Sequence, residues 1–352
     1  MTAPIEKQVY IDFKQEFPPQ QLQNLITLQL NRFQRILKLN VGFHVCFLSL
    51  ILAQILYLAF HLTFLMQTFA LAIHLSLVFF TIFSYFILRL YVQTKKEEKY
   101  ITLKADYIQI FKEGQSEQEG LPEYHLALAA AYCKLAASLH AKEYQIYSLP
   151  SCLDILSSFV EKLSCWCHWQ DVHNLKELLL QASIEEHIKL VRADPTDLEA
   201  HAGLANAYVM LSGLYVDPRT IEELDEGQWI PSNKYGEYFK RKFRAIAERA
   251  IEEFKILSDY APQDPWVHAQ LAYSYRDLQM PKEEIKEYET ILQLCPEDKE
   301  TLFKLGKLYF EQGFNAKGLQ LYETLKRSNY KKAENLIQFY GAYSHQMKFK
   351  DN

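Results

Sequence analysis

The chain has 352 residues, and its 38 Lys and Arg against 43 Asp and Glu give a formal net charge of −5. The length fits roughly two domains, and 11 Gly and 12 Pro are too few for a collagen-like or disordered polymer. A surface that follows nucleic-acid phosphates needs an excess of basic residues, so no nucleic acid is expected among the partners.

The first predicted element is a helix that precedes residue 39. Pro18 and Pro19 suit the start of a helix, and apolar residues then recur at helical spacing. They are Leu22, Leu25, Ile26, Leu30, Phe33 and Leu37. The pattern predicts an amphipathic helix within residues 1–38 that runs into the next element. Its apolar face suits either a bilayer surface or the soluble domain, and the sequence does not choose between them.

The second predicted element is a transmembrane hairpin over residues 39–90. The 50 residues from Leu39 to Leu88 contain no Asp, Glu, Lys or Arg. A hydrocarbon core about 30 Å thick needs about 20 helical residues. A single span therefore does not account for the whole charge-free stretch, whereas two spans do. Polar residues cluster near its middle, which predicts a tight turn near Phe64. The alternative, a buried helix pair in a soluble protein, normally carries charges on an exposed face.

Basic residues flank the hairpin on both sides, and its turn has none. They are Arg32, Arg35 and Lys38 before it, and Arg89, Lys95, Lys96 and Lys99 after it. Because basic flanks stay on the cytoplasmic side, the sequence predicts a two-pass membrane protein with both termini cytoplasmic. The lipid bilayer is thus one expected partner.

One polar pair is predicted inside the hairpin. A turn at Phe64 places Gln54 opposite His74, about 15 Å from the turn. A hydrogen bond between them would stabilise the helix pair by roughly 0.6 to 2 kcal/mol. The alternative, a proton or metal path through His44 and His74, has no acidic partner in the spans.

The strongest pattern is an internal repeat in the final third of the chain. Leu271, Tyr275 and Tyr288-Glu289-Thr290 recur with the same spacing as Leu305, Tyr309 and Tyr322-Glu323-Thr324. The period is about 34 residues, and with Gly306, Gly313 and Pro296 the pattern resembles the large and small positions of tetratricopeptide (TPR) repeats. In the first two units the resemblance is weaker, with Ser183 and His187 in place of the usual Ala and aromatic.

The resemblance implies a domain of four TPR-like helix pairs over residues 121–347, closed by a last helix from about Ala333 that carries Tyr343. The first two pairs contain insertions near residues 136–177 and 212–244. Residues 91–120, which end in a polar run bounded by glycines, are predicted to be a linker. The expected fold class is all-α, a two-helix transmembrane hairpin followed by a TPR-like α-solenoid. An irregular helical bundle with one duplicated hairpin is the alternative.

The resemblance also implies a concave groove for a protein or peptide ligand, lined by the first helix of each pair. Its expected residues are Asn206, Met210, Trp266, Tyr273, Arg276, Phe303, Lys307 and Phe310. Tyr273 and Glu300 stand where a carboxylate clamp needs Asn and Lys. The partner is therefore expected to bury apolar or aromatic side chains against Tyr273, Phe303 and Phe310, unless the insertions or the N-terminal helix cover them.

A cysteine-rich segment offers the main candidate for metal binding. Cys165, Cys167 and His168, with His173 nearby, include ligand types that hold zinc. They are weak candidates, because a single residue separates the cysteines and a helix would point them in different directions. No metal or other cofactor is expected. The sequence also contains no phosphate-binding glycine loop, nucleophile elbow or His-Glu-x-x-His run, and no enzyme is predicted.

The leading hypothesis for function is a membrane-tethered TPR scaffold or adaptor that binds a protein or peptide through an apolar, aromatic groove. A second hypothesis is an exported effector of the inclusion-membrane type, which the chain resembles only in its two-lobed hairpin. A third, less favoured, is a metal-dependent enzyme that uses the insertion cysteines. Homo-oligomers are compatible with the sequence, which names neither the partner nor the membrane.

Overall fold

The computed structural model describes residues 19–66, 69–114, 121–147, 157–220, 229–231 and 234–341. The described residues form helices, turns and loops, with no strand among them. The helices are α1 (Pro19–Leu65), α2 (Ala70–Glu113), α3 (Pro122–Ser138), α4 (Ser157–Ala193), α5 (Leu198–Gly213), α6 (Glu237–Tyr260), α7 (Pro265–Asp277), α8 (Pro281–Leu294), α9 (Lys299–Glu311), α10 (Asn315–Arg327) and α11 (Ala333–Leu336). The expected all-α fold class is confirmed for these residues.

The chain divides into two compact units. One contains the described residues 19–183 and the segment Trp229–Pro231, and the other contains residues 184–220 and 234–341, so the division falls within α4. This places α3 and most of α4 with the hairpin, whereas the expected domain boundary lies near residue 121. Residues 1–18 and Tyr343 lie outside the described residues.

In the first unit, α1 and α2 have 47 and 44 residues. At about 1.5 Å per residue each is roughly twice as long as a hydrocarbon core is thick. Each helix has an apolar half, towards the α1–α2 turn, and a half with one buried face. On α2 this face is formed by Tyr100, Leu103, Tyr107 and Phe111. The predicted linker 91–120 is therefore wrong as far as Glu113, because these residues recur at helical spacing and are buried.

The N-terminal part of α1 has a matching buried face. Leu22, Leu25, Ile26, Phe33 and Leu37 are each at most 6% exposed. The Phe33 and Tyr100 rings lie 5.4 Å apart, so this face packs against protein. The sequence left open a bilayer surface or the soluble domain as the partner of the N-terminal helix, and the structure packs this face against α2 instead.

Two further helices complete the first unit. The Tyr107 hydroxyl donates to the Ala131 carbonyl oxygen of α3 over 2.9 Å, and Ser183 Oγ of α4 donates to the Ala129 carbonyl oxygen over 3.1 Å. A 3₁₀ turn, Lys142–Tyr144, follows α3. Much of the predicted insertion 136–177 is the first half of α4.

The second unit contains three consecutive helix pairs, α5 with α6, α7 with α8, and α9 with α10. Each second helix also packs on the first helix of the next pair. The first helices begin alike, since Asp197, Asp264 and Asp298 each accept a hydrogen bond from the backbone N–H two residues later, over 2.9, 2.9 and 3.0 Å. Such N-caps stabilise a helix by about 1 kcal/mol each.

A buried histidine also recurs in the first two of these pairs. The His201 Nε2–H donates to the Pro195 carbonyl oxygen over 3.1 Å, and its Nδ1 lies 2.6 Å from Glu253. His268 repeats the arrangement with Pro262 at 3.0 Å and Glu287 at 2.7 Å. These two pairs are therefore structurally related units. In each, a histidine on the first helix contacts both the entry loop and the second helix.

Candidate functional site

The apolar halves of α1 and α2 form an extended exposed apolar surface. In the most apolar 18-residue stretches of the two helices, 0% and 6% of the residues are buried. The Phe60, Phe69 and Phe79 side chains are 81%, 82% and 71% exposed. Contiguous apolar surface of this extent marks a membrane or protein contact.

Polar side chains join the two helices through three contacts. His44 Nδ1 lies 3.1 Å from the Tyr85 hydroxyl, and Gln54 Nε2 donates to Thr81 Oγ1 over 3.0 Å. The His74 Nε2–H donates to the backbone carbonyl oxygen of Gln54, also over 3.0 Å. The structure thus brings Gln54 and His74 together, although the Gln54 side chain bonds Thr81 and not the imidazole.

The turn lies later than the sequence suggested. Phe64 belongs to α1, which ends at Leu65, and α2 begins at Ala70. The expected centre at Phe64 is therefore wrong by a few residues. No Gly or Pro marks the turn, so the sequence carried no local signal for its position.

Two expected groove residues on α7 form a cluster with a lysine on α9. The Arg276 guanidinium carbon and Lys304 Nζ each lie 5.1 Å from the centre of the Tyr273 ring. Lys304 Nζ also donates to the Tyr273 hydroxyl over 3.1 Å and pairs with Glu300 at 2.7 Å. Burial lowers the pKa of Lys304, but the hydrogen bonds to Glu300 and Tyr273 outweigh it, and the pKa is raised.

The sequence reasoning missed Lys304, which directly follows the expected groove residue Phe303. Its spacing of four from Glu300 was the available signal. Phe303 itself is half-buried, and its ring lies 6.4 Å from that of Tyr330. Lys307 Nζ lies 4.7 Å from the centre of the Phe339 ring. We call Tyr273, Arg276, Phe303, Lys304 and Lys307 the α7–α9 patch.

The other expected groove residues lie apart from this patch or beneath the surface. Trp266 is half-buried, with its ring edge-on to Phe254 at 6.2 Å. Asn206 and Met210 are half-buried on α5. Among the described residues, neither makes a hydrogen bond or ring contact with the patch.

The expectation that Phe310 lines the groove is wrong. Its side chain is 0% exposed and belongs to the core formed by α9, α10 and α11. A Cβ atom placed on Gly318 would lie 2.6 Å from Phe310 Cε1, so the glycine lets α10 approach the ring. Because this close packing covers the ring completely, Phe310 is not available to a partner.

The four weak metal candidates have separate environments. The Cys165 thiol is buried and donates to the Trp229 carbonyl oxygen over 3.5 Å, whereas Cys167 is exposed. His168 Nε2 lies 2.8 Å from the Tyr147 hydroxyl, and the His173 ring stacks on Trp169 at 4.8 Å. In the part of the chain that the structure describes, no three His, Cys, Asp or Glu residues are arranged to hold a metal ion.

A partly buried ion pair links α2 and α4. Lys96 Nζ donates to Asp171 Oδ1 over 2.6 Å, and His168 Nδ1 lies 3.4 Å from Asp171 Oδ2. Burial raises the pKa of Asp171, but the hydrogen bond from His168 and the Lys96 charge outweigh it, so the pKa is lowered. The carboxylate therefore stays ionised and holds the two helices together.

The chain resembles known proteins in structure and not in sequence family. No protein-family model and no curated protein matches the chain. One similar solved structure is a thermophilic TPR protein of Thermus thermophilus, with 16% identity and a TM-score of 0.30; the match covers 69% of this chain and 96% of that chain. A likeness with so low a TM-score carries no argument about the fold. The contacts that recur within the chain are what identify α5 to α10 as repeated pairs.

Proposed function

We propose that this protein is a membrane-tethered helical-repeat scaffold that binds a protein or peptide partner and catalyses no reaction. The α1–α2 hairpin holds the chain in a bilayer, and the helix pairs α5 to α10 form a TPR-like solenoid in the aqueous phase. One observation carries the anchoring, namely that the most apolar stretches of α1 and α2 are 0% and 6% buried. Lipid removes the cost of exposing this surface to water.

The polar contacts within the hairpin support insertion into lipid. A polar side chain in the hydrocarbon core needs a hydrogen-bond partner, because no water is present to supply one. Gln54 and His74 both direct polar atoms at the opposite helix, over 3.0 Å in each case. The hairpin therefore satisfies Gln54 Nε2 and His74 Nε2 internally, whereas Gln54 Oε1 is buried without a hydrogen-bond partner among the described residues.

The charges at the base of the hairpin support a cytoplasmic location for both termini. Arg35 and Lys38 on α1 and Arg89 on α2 are exposed and lie next to the charge-free segments. Basic residues in such positions remain on the cytoplasmic side. The repeat unit and the N-terminus then share one compartment.

The α7–α9 patch is the proposed contact for the partner. It combines the half-buried Tyr273 ring, which Arg276 and Lys304 contact, with the half-buried Phe303 and Lys307 of α9. Such a surface suits a protein segment that offers an apolar or aromatic side chain together with a carboxylate. Aromatic anchors at an interface commonly contribute about 2 kcal/mol or more.

Affinity capture with the full-length, membrane-inserted chain tests this proposal. Tyr273→Ala removes the ring between Arg276 and Lys304 and should abolish capture of the partners that the native chain retains. Tyr260→Ala is the matched control, because Tyr260 is 62% exposed at the end of α6, and it should leave capture unchanged. Equal capture by the native chain and the Tyr273→Ala variant would contradict binding through the patch.

A further inference from the structure

A second exposed apolar surface lies outside the hairpin, at the start of α4. Phe159, Leu163 and Trp166 are 64%, 40% and 63% exposed. Their spacing of four and three residues places them on one face of the helix. Trp229 is 36% exposed, and its carbonyl oxygen accepts hydrogen bonds from the Tyr144 hydroxyl and the Cys165 thiol, over 3.0 and 3.5 Å. We call Phe159, Leu163, Trp166 and Trp229 the α4 patch.

Contacts at two levels fix the direction of α4 along α2. At the first level Lys96 meets Asp171. At the second level both helices contact α3. Tyr107 of α2 and Ser183 of α4 each donate a hydrogen bond to a backbone carbonyl oxygen of α3, over 2.9 and 3.1 Å. The step from Lys96 to Tyr107 along α2 is only one residue shorter than the step from Asp171 to Ser183 along α4. The two helices therefore run in the same direction with nearly equal rise.

This direction sets the height of the α4 patch along the hairpin. Leu163 precedes Asp171 by the same number of residues as Leu88 precedes Lys96. Leu163 therefore lies close to the level of Leu88, the last residue of the charge-free segment. Phe159 lies about one helical turn further towards the apolar half of the hairpin.

From this placement we infer that the α4 patch is inserted into the interface of the bilayer that the hairpin spans, on the side of the two chain termini. The inference rests on the proposed anchoring. Trp side chains at the level where a span leaves the hydrocarbon are typical of membrane interfaces, and Trp, Phe and Leu form the apolar face of interfacial helices. An apolar helix face binds there at a depth of about 5 to 10 Å.

Lipid is the occupant that the geometry favours, because the patch lies at the same height as exposed apolar side chains of α2 such as Leu88 and Tyr91. The contact gives the first unit a second attachment besides the two spans. It fixes the angle between the bundle of α1 to α4 and the membrane plane, since α4 can no longer rotate away from the lipid.

Photo-crosslinking tests this contact in the full-length chain reconstituted into phosphatidylcholine vesicles. The photoreactive residue p-benzoylphenylalanine replaces Phe159, Leu163, Gln181 or Phe79, one at a time. Gln181 is the matched control, because it is exposed on α4 and lies about 27 Å along the helix from Leu163. Phe79, 71% exposed on α2, reports on anchoring itself.

The expected result is phospholipid adducts, identified by mass spectrometry, at Phe79, Phe159 and Leu163, and none at Gln181. Adducts at Phe79 without any at Phe159 and Leu163 would refute the interfacial contact and leave the anchoring intact. Cross-links from Leu163 to protein in place of lipid would also refute it. Absence of lipid adducts at Phe79 would overturn both proposals together.

Discussion

Glu284 is the residue with the least favourable environment in the repeat unit. Ala250, Glu284 and Gly318 occupy the same position in three successive repeats, and the first and last are small. Glu284 is 4% exposed. Burial raises its pKa from 4.5 to about 7; Arg276 opposes this change, and the carboxyls of Glu311 and Asp277 add to it.

Replacement of Glu284 should therefore change how stability depends on pH. Its folded-state pKa of about 7 lies above the ordinary 4.5, so the folded state holds a proton that the unfolded state has lost between these values. The free energy of unfolding should fall as pH rises through this range. At about 1.4 kcal/mol for each pH unit between the two pKa values, Glu284→Gln should stabilise the protein by up to about 3 kcal/mol at pH 8 and hardly at pH 4.

Denaturant unfolding of the full chain in detergent micelles, at both pH values, checks this prediction. His201 acts in the same direction: burial lowers its pKa, but the hydrogen bond to Glu253 outweighs it and the pKa is raised. Its effect is common to both proteins and cancels in the difference. An equal change in stability at pH 4 and pH 8 would contradict the assignment to Glu284.

Among the helices, the hairpin pair depends on side chains that bond across it. Thr81 accepts a hydrogen bond from Gln54 Nε2 and also donates to the Leu77 carbonyl oxygen of its own helix over 2.9 Å. Thr81→Val should weaken the pairing by roughly 0.6 to 2 kcal/mol, since interhelical hydrogen bonds in lipid contribute this much. Reversible unfolding in mixed detergent and lipid micelles measures the change.

Thr94→Val is the control for this substitution. The Thr94 hydroxyl donates to the Leu90 carbonyl oxygen of its own helix, over 3.1 Å, and it is exposed. Both substitutions remove an own-helix hydrogen bond, and only Thr81→Val removes the contact with α1. Equal losses from the two variants would show that the interhelical bond does not stabilise the hairpin.

The helices that the sequence could predict are those with a periodic signal. The charge-free stretch predicted α1 and α2, and the repeat predicted the pairs α7 with α8 and α9 with α10. The helical spacing of Tyr100, Leu103, Tyr107 and Phe111 was the signal that α2 continues to Glu113, but the mixed charges around these four residues hid it. Contacts between distant helices, such as Lys96 with Asp171, leave no local pattern at all.

The candidate site was predicted in part for the same reason. Family spacing named Tyr273 and Arg276, which the structure places in ring contact. It also named Phe310, which is buried because Gly318 lets the next helix cover it. The spacing of first-helix residues defines a face of α9, but it does not say how closely α10 packs against that face.

At the scale of the whole molecule, one chain contains two kinds of surface. The first unit exposes the apolar halves of α1 and α2 and the α4 patch, and the second unit exposes a cationic and aromatic patch on its repeated pairs. In the proposed account the first surface meets lipid and the second meets a partner in water. The central claim is therefore that the hairpin spans the bilayer with both termini on one side.

Protease protection in sealed microsomes measures this claim most directly. The full-length chain is synthesised in the presence of microsomes, and protease is added outside. The account predicts one protected fragment of about 50 residues, approximately 39–88, in which both spans remain joined through the intact turn. Cleavage within the turn, between Leu65 and Ala70, or complete digestion of both apolar segments would contradict it.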